Sequence, residues 1–354
     1  MKDWEKNIRI VEPYVPGEQP NFPEMIKLNT NENPYPPSPR VQKAKEELSI
    51  DILRLYPDPT SNLLVEELAN YYGRKKEQVF VGVGSDDVLS VAFLTFLNSK
   101  KPILFPDITY SFYSVWADLY RIPYERPAVD ENFQINKEDY YKENGGIIFA
   151  NPNAPTSISV DLEFIEDILE HNQDVIVIVD EAYIDFGGIS ANSLIDRYEN
   201  LLVVQTFSKS RSMAGMRIGF AMGNERLIKA MNDVKYSINS YTMNQPSLYL
   251  GVEAIKDEDY FRENINKIIF TRENTKNSLE KLGFDVLDSK TNFLFISHSQ
   301  YKAEDIFAEL RENKIFVRHF NLPRISNYLR VTVGTDAEME CFIRSIEEFL
   351  LKRA

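Results

Sequence analysis

Two apolar runs, Val175-Ile-Val-Ile-Val-Asp180 and Leu201-Leu-Val-Val-Gln-Thr-Phe-Ser208, decide the fold. Both are apolar and rich in β-branched residues at successive positions, so a strand built from either is apolar on both faces. Such strands belong to a mostly parallel sheet covered by helices on each side. The flanking sequence keeps the same rhythm. Residues 79–84 (VFVGVG) precede a helical-period segment at 87–97, residues 102–105 (PILF) precede one at 110–120, and residues 146–150 (GIIFA) precede one at 162–169. Short apolar runs alternating with 3.6-period segments read as repeated βαβ units. Ligands in such sheets gather beyond the C-terminal ends of the strands, where Asp180 and Ser208 fall.

Downstream, residues 257–281 have the length and period of one long helix. The runs FDVL, NFLFIS, IFVRHF and YLRVTVG then read as strands of a smaller α+β domain, closed by an amphipathic helix at 337–351. Upstream, residues 13–39 are rich in Pro and Asn and lack periodicity, as expected of an irregular arm over the surface. The expected division is an arm at 1–40 joining the small domain, a large α/β domain at 41–250 and a small domain at 251–354, with the boundary between 245 and 260.

The bulk composition narrows the function. With 354 residues, 43% of them hydrophobic, the chain can bury a large core. A net charge of -14 argues against nucleic acid or an anionic membrane as partner. The single cysteine, Cys341, excludes an internal disulfide framework, reads as a core residue of the last helix and fits a reducing cytoplasm. No run is long enough to span a bilayer, and the first residues carry no apolar leader segment. His171, His298 and His319 stand at no zinc spacing with each other or Cys341, His298 reads as exposed, and no Gly-x-Ser-x-Gly elbow occurs. No metal site is expected.

The remaining chemistry collects at strand ends. Lys209 follows the second apolar run inside Thr206-Phe-Ser-Lys-Ser-Arg-Ser-Met-Ala-Gly-Met-Arg217, crowded by hydroxyls, a glycine and two arginines. A lysine amine can form a Schiff base with an aldehyde cofactor, and it acts as a base when burial and positive neighbours such as Arg211 and Arg217 lower its pKa. A surface lysine on a βα loop is the plainer reading. Asp180 and Tyr183 end the other run; a pyridoxal ring would use the carboxylate at its nitrogen and the phenol at its hydroxyl, whereas a helix cap explains the Asp equally well. The turn Gly82-Val-Gly84-Ser85-Asp86 opens a helix and makes a phosphate cradle. It also half-resembles a dinucleotide fingerprint, but Asp87 stands where the third glycine belongs, and Asp107 falls outside a strand end. Arg318 and Arg330 lie within apolar strands and suit a carboxylate or phosphate, or else pair with acids on a solvated face. Tyr110 can stack on a flat ring or fill the core.

In their order along the chain, KLNTNENPYPPSP, LYPDPT, VGVGSDD, PDITYSFY, NPNAPT, VDEAYIDF, TFSKSRSMAGMRIGF and LRVTVGT resemble fold-type I aminotransferases, most closely the histidinol-phosphate aminotransferase family, over nearly the whole chain. The resemblance implies pyridoxal 5′-phosphate joined to Lys209, with Asp180 at the pyridine nitrogen, Tyr183 at the ring hydroxyl and Tyr110 stacked on the ring. Gly84, Ser85, Asp86, Thr206, Ser208 and Arg217 would contact the cofactor around its phosphate, and Tyr56 would reach that phosphate from the other subunit of a homodimer. Tyr14, Asn29, Arg318 and Arg330 would bind the substrate. One departure stands out: the family carries Asn directly before Pro-Thr-Gly, and this chain has Asn153 followed by Ala154-Pro155-Thr156-Ser157. Either Asn153 reaches the ring hydroxyl from one position earlier or Tyr183 holds it alone. The implied reaction is amino transfer from L-histidinol phosphate to 2-oxoglutarate. Aromatic amino acids, decarboxylation of phosphothreonine, a nicotinamide oxidoreductase and a pyridoxal-binding module without turnover are the alternatives.

Overall fold

The computed structural model of the protein describes residues 2–15 and 17–353. Its centre is a seven-stranded sheet in the order Val79–Gly82, Gly219–Gly223, Leu201–Thr206, Val177–Asp180, Ile147–Ala150, Ile103–Leu104, Tyr124–Glu125. Only Gly219–Gly223 runs against the others. The two runs that opened the sequence lie side by side in the middle and pair in parallel, Asp180 opposite Val204. Their side chains alternate between two cores. Val177, Val179, Leu201 and Val203 pack on one face with helices Asn62–Tyr72, Leu162–His171 and Gln245–Lys256. Ile178, Leu202 and Val204 pack on the other with Ser85–Phe96, Phe112–Tyr120 and Glu225–Ile238.

A second body holds a four-stranded antiparallel sheet in the order Arg318–His319, Leu329–Thr332, Phe293–His298, Phe284–Val286. Helices Ala303–Glu312 and Asp336–Leu351 cover it, the latter started by a reciprocal Thr335/Glu338 capping box. The long helix Glu258–Lys281 begins one residue after Gln245–Lys256 ends. Among the described residues, no helix is long and apolar enough to cross a membrane.

Three expectations change. The arm is irregular, but its middle is not superficial: Ile26–Lys27 pairs in parallel with Ile315–Phe316, and Leu28, Asn29 and Asn31 are buried. Cys341 is exposed rather than core, because the last helix buries Met339, Phe342, Ile346 and Phe349, and a residue two positions after Met339 points to the opposite side. His298 is buried, because its strand runs one residue further than the apolar pattern and pairs it with Phe284. The antiparallel strand Gly219–Gly223 was not read from sequence at all.

That strand fixes the geometry of the glycine turn. A Cβ on Gly219 would lie 2.2 Å from the Gly84 carbonyl carbon and 2.3 Å from the Ser85 nitrogen, so only glycine lets the helix start at Ser85 come this close. Gly219→Ala is expected to destabilise the protein by about 1–3 kcal/mol through overpacking. A urea midpoint unchanged from the parent would contradict this account of the turn.

Candidate active site

At the C-terminal edge of the sheet, the turn at 82–84 leads into helix Ser85–Phe96 with Gly84 at its N-cap, φ 83°. A side chain at Gly84 would fall 2.4 Å from Arg217 Nη2. The Arg217 guanidinium therefore lies directly over the start of the helix, where unpaired N–H groups and the helix dipole favour an anion. Ser208 Oγ lies 3.5 Å from Arg217 Nη1 and accepts from Thr206 Oγ1 at 3.0 Å. Thr206 Oγ1 in turn accepts from the Ser208 N–H. Asp86 faces the same guanidinium at 3.4 Å through one oxygen and accepts the Tyr110 hydroxyl at 2.9 Å through the other. Gly84, Ser85, Asp86, Thr206, Ser208 and Arg217 are thus brought together. Asp87, which spoiled the dinucleotide fingerprint, accepts the Val83 N–H at 2.9 Å and pins the turn. Asp107 pairs with Arg324 and accepts the Val129 N–H, so it is committed to structure.

Asp180 ends its strand buried, with no cation in ion-pair reach among the described residues. Oδ2 accepts the Tyr113 hydroxyl at 2.8 Å and Oδ1 the Ala182 N–H at 3.2 Å. The carboxylate does not cap a helix; the next turn, Ile184–Phe186, is capped by Tyr183. Burial pushes the Asp180 carboxyl up to about 6. Tyr113 was missed by sequence reasoning, although it stands three residues after Tyr110 at helical spacing. Its ring meets Tyr110 edge-on at 5.7 Å, which joins the stacking candidate to the carboxylate's support.

Lys209 is half-buried, its Nζ 3.2 Å from the Thr30 carbonyl and 5.7 Å from the centre of the Tyr183 ring. The neighbouring carbonyl of the arm, Asn29 O, accepts Arg330 Nη2 at 2.8 Å. The carbonyls of two consecutive arm residues, Asn29 and Thr30, therefore accept from the arginine and from the lysine. Arg330 also lies directly opposite Arg318 across the antiparallel pair. Like charges in that relation destabilise a sheet. Among the described residues no carboxylate lies within 4.0 Å of Lys209, Arg318 or Arg330. The ion-paired surface reading of the arginines is therefore incorrect: they rest over Phe293 and Phe320, Arg330 Nε has no partner, and burial lowers the Arg330 pKa.

The other named residues divide. Tyr14 stacks on Phe112 at 4.4 Å and reaches Tyr110 at 6.4 Å, inside the site. Asn29 donates to Glu18 O and leaves a buried, unpartnered Oδ1. Asn153 is turned away from ligand chemistry: its amide donates to Ile108 O and Thr156 Oγ1 and accepts from Thr109 Oγ1. The Ala154-Pro155 peptide beside it is cis. Arg211 donates to Ala254 O and lies 3.9 Å over Phe261, away from the lysine it was expected to influence. Tyr56 is 80% exposed, 4.6 Å from Tyr241. Asn31, also missed, donates to the Tyr183 hydroxyl at 2.9 Å.

Residues 23–346 match the family of class I and II aminotransferases. A histidinol-phosphate aminotransferase of Clostridium botulinum (strain Langeland) is 53% identical over 99% of both chains, and one of Lactococcus lactis subsp. cremoris (strain MG1363) is 51% identical over 98% of both. The crystal structure of histidinol-phosphate aminotransferase from Sinorhizobium meliloti in complex with pyridoxal-5′-phosphate superposes with a TM-score of 0.85. It covers 93% of this chain and 92% of its own at 22% identity, a likeness of fold.

The buried carboxyl makes a pH test. With its native pKa raised to about 6 against about 3.9 unfolded, Asp180 contributes stability that is present below pH ~4 and lost as pH rises through about 6. Without cofactor, Asp180→Asn is expected to match the parent near pH 4 and exceed it by about 2–3 kcal/mol above pH 7. Urea denaturation between pH 4 and 8 reads this directly, and a constant difference across the range would refute the assignment.

Proposed function

The chain belongs to the class I and II aminotransferases and works with pyridoxal 5′-phosphate, and from that premise we propose that it transfers the amino group of L-histidinol phosphate to 2-oxoglutarate. The observation that carries the substrate is the pair Arg318 and Arg330, opposite one another across the strand pair with no acid in ion-pair reach among the described residues, Arg330 being held by the carbonyl next to the one that holds Lys209. A phosphate at one end of an amine, or the distal carboxylate of a 2-oxo acid, is the anion such a pair lacks. The names of the relatives point to the first.

The residues fit the cofactor. Arg217, Ser208 and the helix start at Ser85 form the phosphate cradle, and Gly84 and Gly219 leave it open. Asp180 is a buried acid waiting for a cation, which a protonated pyridine nitrogen provides. Tyr113 holds that acid in place. When bound, the cofactor supplies the aldehyde that receives the amino group and a ring that accepts the electrons of the donor's C–H bond. Lys209 Nζ is the amine that would hold the cofactor through its aldehyde, and as a free amine it would hold and move the proton at the donor's amine-bearing carbon. Arg330 orients the donor's anionic end, Asn29 Oδ1 offers a buried acceptor beside it, and Tyr14 and Tyr110 close one side of the site. Tyr183 donates to the ring hydroxyl.

The active form is read as a homodimer in the cytoplasm. Ile50 and Tyr56 are each 80% exposed, Leu53, Ile238 and Tyr241 are exposed as well, and Tyr56 packs on Tyr241. Exposed apolar side chains of this size support burial against a second copy, and Tyr56 is read as the residue that reaches the phosphate bound by that copy.

Lys209→Ala protein is expected to form no borohydride-reducible bond to pyridoxal phosphate; a retained bond would end the assignment. Arg330→Ala should lower kcat/KM for L-histidinol phosphate roughly 30-fold to 3,000-fold, the range for truncating a desolvated charge, and Arg330→Lys should recover only part. Should phenylalanine change the cofactor's absorbance while histidinol phosphate does not, an aromatic amino acid becomes the donor; carbon dioxide release without need for an oxo acid would instead mark a decarboxylase. Analytical ultracentrifugation should give a dimer, and Leu53→Asp with Ile50→Asp should shift it towards monomer with loss of bound cofactor. A fully active monomer would contradict the shared site.

A further inference from the structure

Ala154 leaves the cofactor's ring hydroxyl with Tyr183 as its recognition, because the Asn153 amide already donates to Ile108 O and Thr156 Oγ1 and accepts from Thr109 Oγ1. A phenol is both donor and acceptor, and one phenol alone does not fix where its proton points. We propose that Asn31 is a positioning residue that sets the direction of the Tyr183 proton, making Tyr183 an obligate donor to the ring oxygen. The inference rests on the placement of Tyr183 at that oxygen.

The hydrogen bonds around Asn31 allow one direction only. The Asn31 backbone N–H donates to Thr332 Oγ1 at 3.0 Å, so the Thr332 hydroxyl, with one acceptor position used, sends its own proton to Asn31 Oδ1, also at 3.0 Å. With Oδ1 facing Thr332, the amide cannot be flipped without placing an NH2 against a donor hydroxyl. Nδ2 is thereby the atom that meets Tyr183 Oη, at 2.9 Å. Tyr183 Oη accepts a hydrogen bond from Asn31 Nδ2, so its own O–H donates elsewhere. The Asn31 carbonyl accepts Asn292 Nδ2 at 3.0 Å, which locks the residue from the other side. Asn31 is 1% exposed and sits at φ 56°, a left-handed conformation that Asn tolerates better than most residues. Four bonds and a special backbone angle converge on one amide whose free hydrogen points at a phenol.

The relay also crosses the molecule. Thr332 lies in the strand Leu329–Thr332 two residues from Arg330, on the same face. Tyr183 lies at the tip of the large sheet. The strand that binds the substrate's anion and the phenol that touches the cofactor are thus tied through one side chain of the arm.

The test is the pH midpoint of the visible absorbance of pyridoxal phosphate bound to the protein, which reports the ring oxygen's hydrogen bonding without turnover. Tyr183→Phe should raise the midpoint by about one unit, since a lost donor makes the neighbouring nitrogen hold its proton more firmly. Asn31→Asp keeps the shape and the backbone preference but accepts a proton instead of giving one; it should reproduce most of that rise. In the Tyr183→Phe background, Asn31→Asp should add less than a third of its effect alone, the mark of action through Tyr183. Thr332→Val, which leaves Asn31 in place but frees its amide to rotate, should raise the midpoint by about half a unit, and Thr332→Ser should restore it. If Asn31→Asp shifts the midpoint equally with and without Tyr183, its charge alone acts and the proposal is overturned. It is equally overturned if Asn31→Asp and Thr332→Val leave the midpoint unmoved while Tyr183→Phe moves it. If Tyr183→Phe itself has no effect, the placement of Tyr183 fails first and the proposal falls with it.

Discussion

A charge taken out of water needs a counter-charge, and this site holds several without one. Among the described residues, Asp180 is buried with hydrogen bonds from Tyr113 and Ala182; Lys209 and Arg330 have backbone carbonyls and aromatic rings; Arg318 has the ring of Phe320. Each costs free energy that the surrounding structure must offset. The offset comes from a sheet covered on both faces, whose central strands Val177–Asp180 and Leu201–Thr206 are entirely buried. Under the proposed function a ring cation would complete the acid, and anions would complete the guanidiniums and the helix start.

The support for these charges is polar and mostly local to the sheet edge. Asp87 pins the turn that Arg217 covers. Glu181, next to Asp180, faces the opposite way into a separate network of Ser190, Ala191 and Gln205, and burial pushes its carboxyl up to about 7. Two adjacent acids thus serve two purposes, because successive side chains of an extended chain point to opposite sides.

Periodicity made the large sheet and most helices legible, since its strands are continuous apolar runs and its helices carry one-sided stripes. The strand Gly219–Gly223 was hidden because Gly-Phe-Ala-Met-Gly has little β propensity; a glycine requirement at the turn, not strand preference, places it there. His298 and Cys341 were misjudged for a related reason: one residue of strand length and two of helical phase decide burial, and neither can be read from a short apolar run. Within the site, the residues read as ligand-binding stood in recognisable motifs. Those that act on them did not. Tyr113 and Asn31 reach Asp180 and Tyr183 across 67 and 152 positions, separations to which a local pattern is blind, and the Asn153 contact stayed open in the sequence because two of its three partners, Ile108 and Thr109, lie in a loop that meets it only in the folded chain.

The arm threads between both bodies, with Asn31 bonded to a residue 301 positions later. Contacts of such sequence separation form late, because closing a long loop must precede any gain from it. All seven strands of the large sheet lie within residues 79–223, and helices Glu225–Ile238 and Gln245–Lys256 complete the cover of its faces, so the large body closes over shorter loops while the arm waits for the last strands. The arm is thus seated only once Asn292 and Thr332 are in place to bond it. Until then Lys209 and Arg330 each lack the arm carbonyl that accepts from them, so the surroundings of the lysine are set by a contact between the two bodies and not by the large sheet alone.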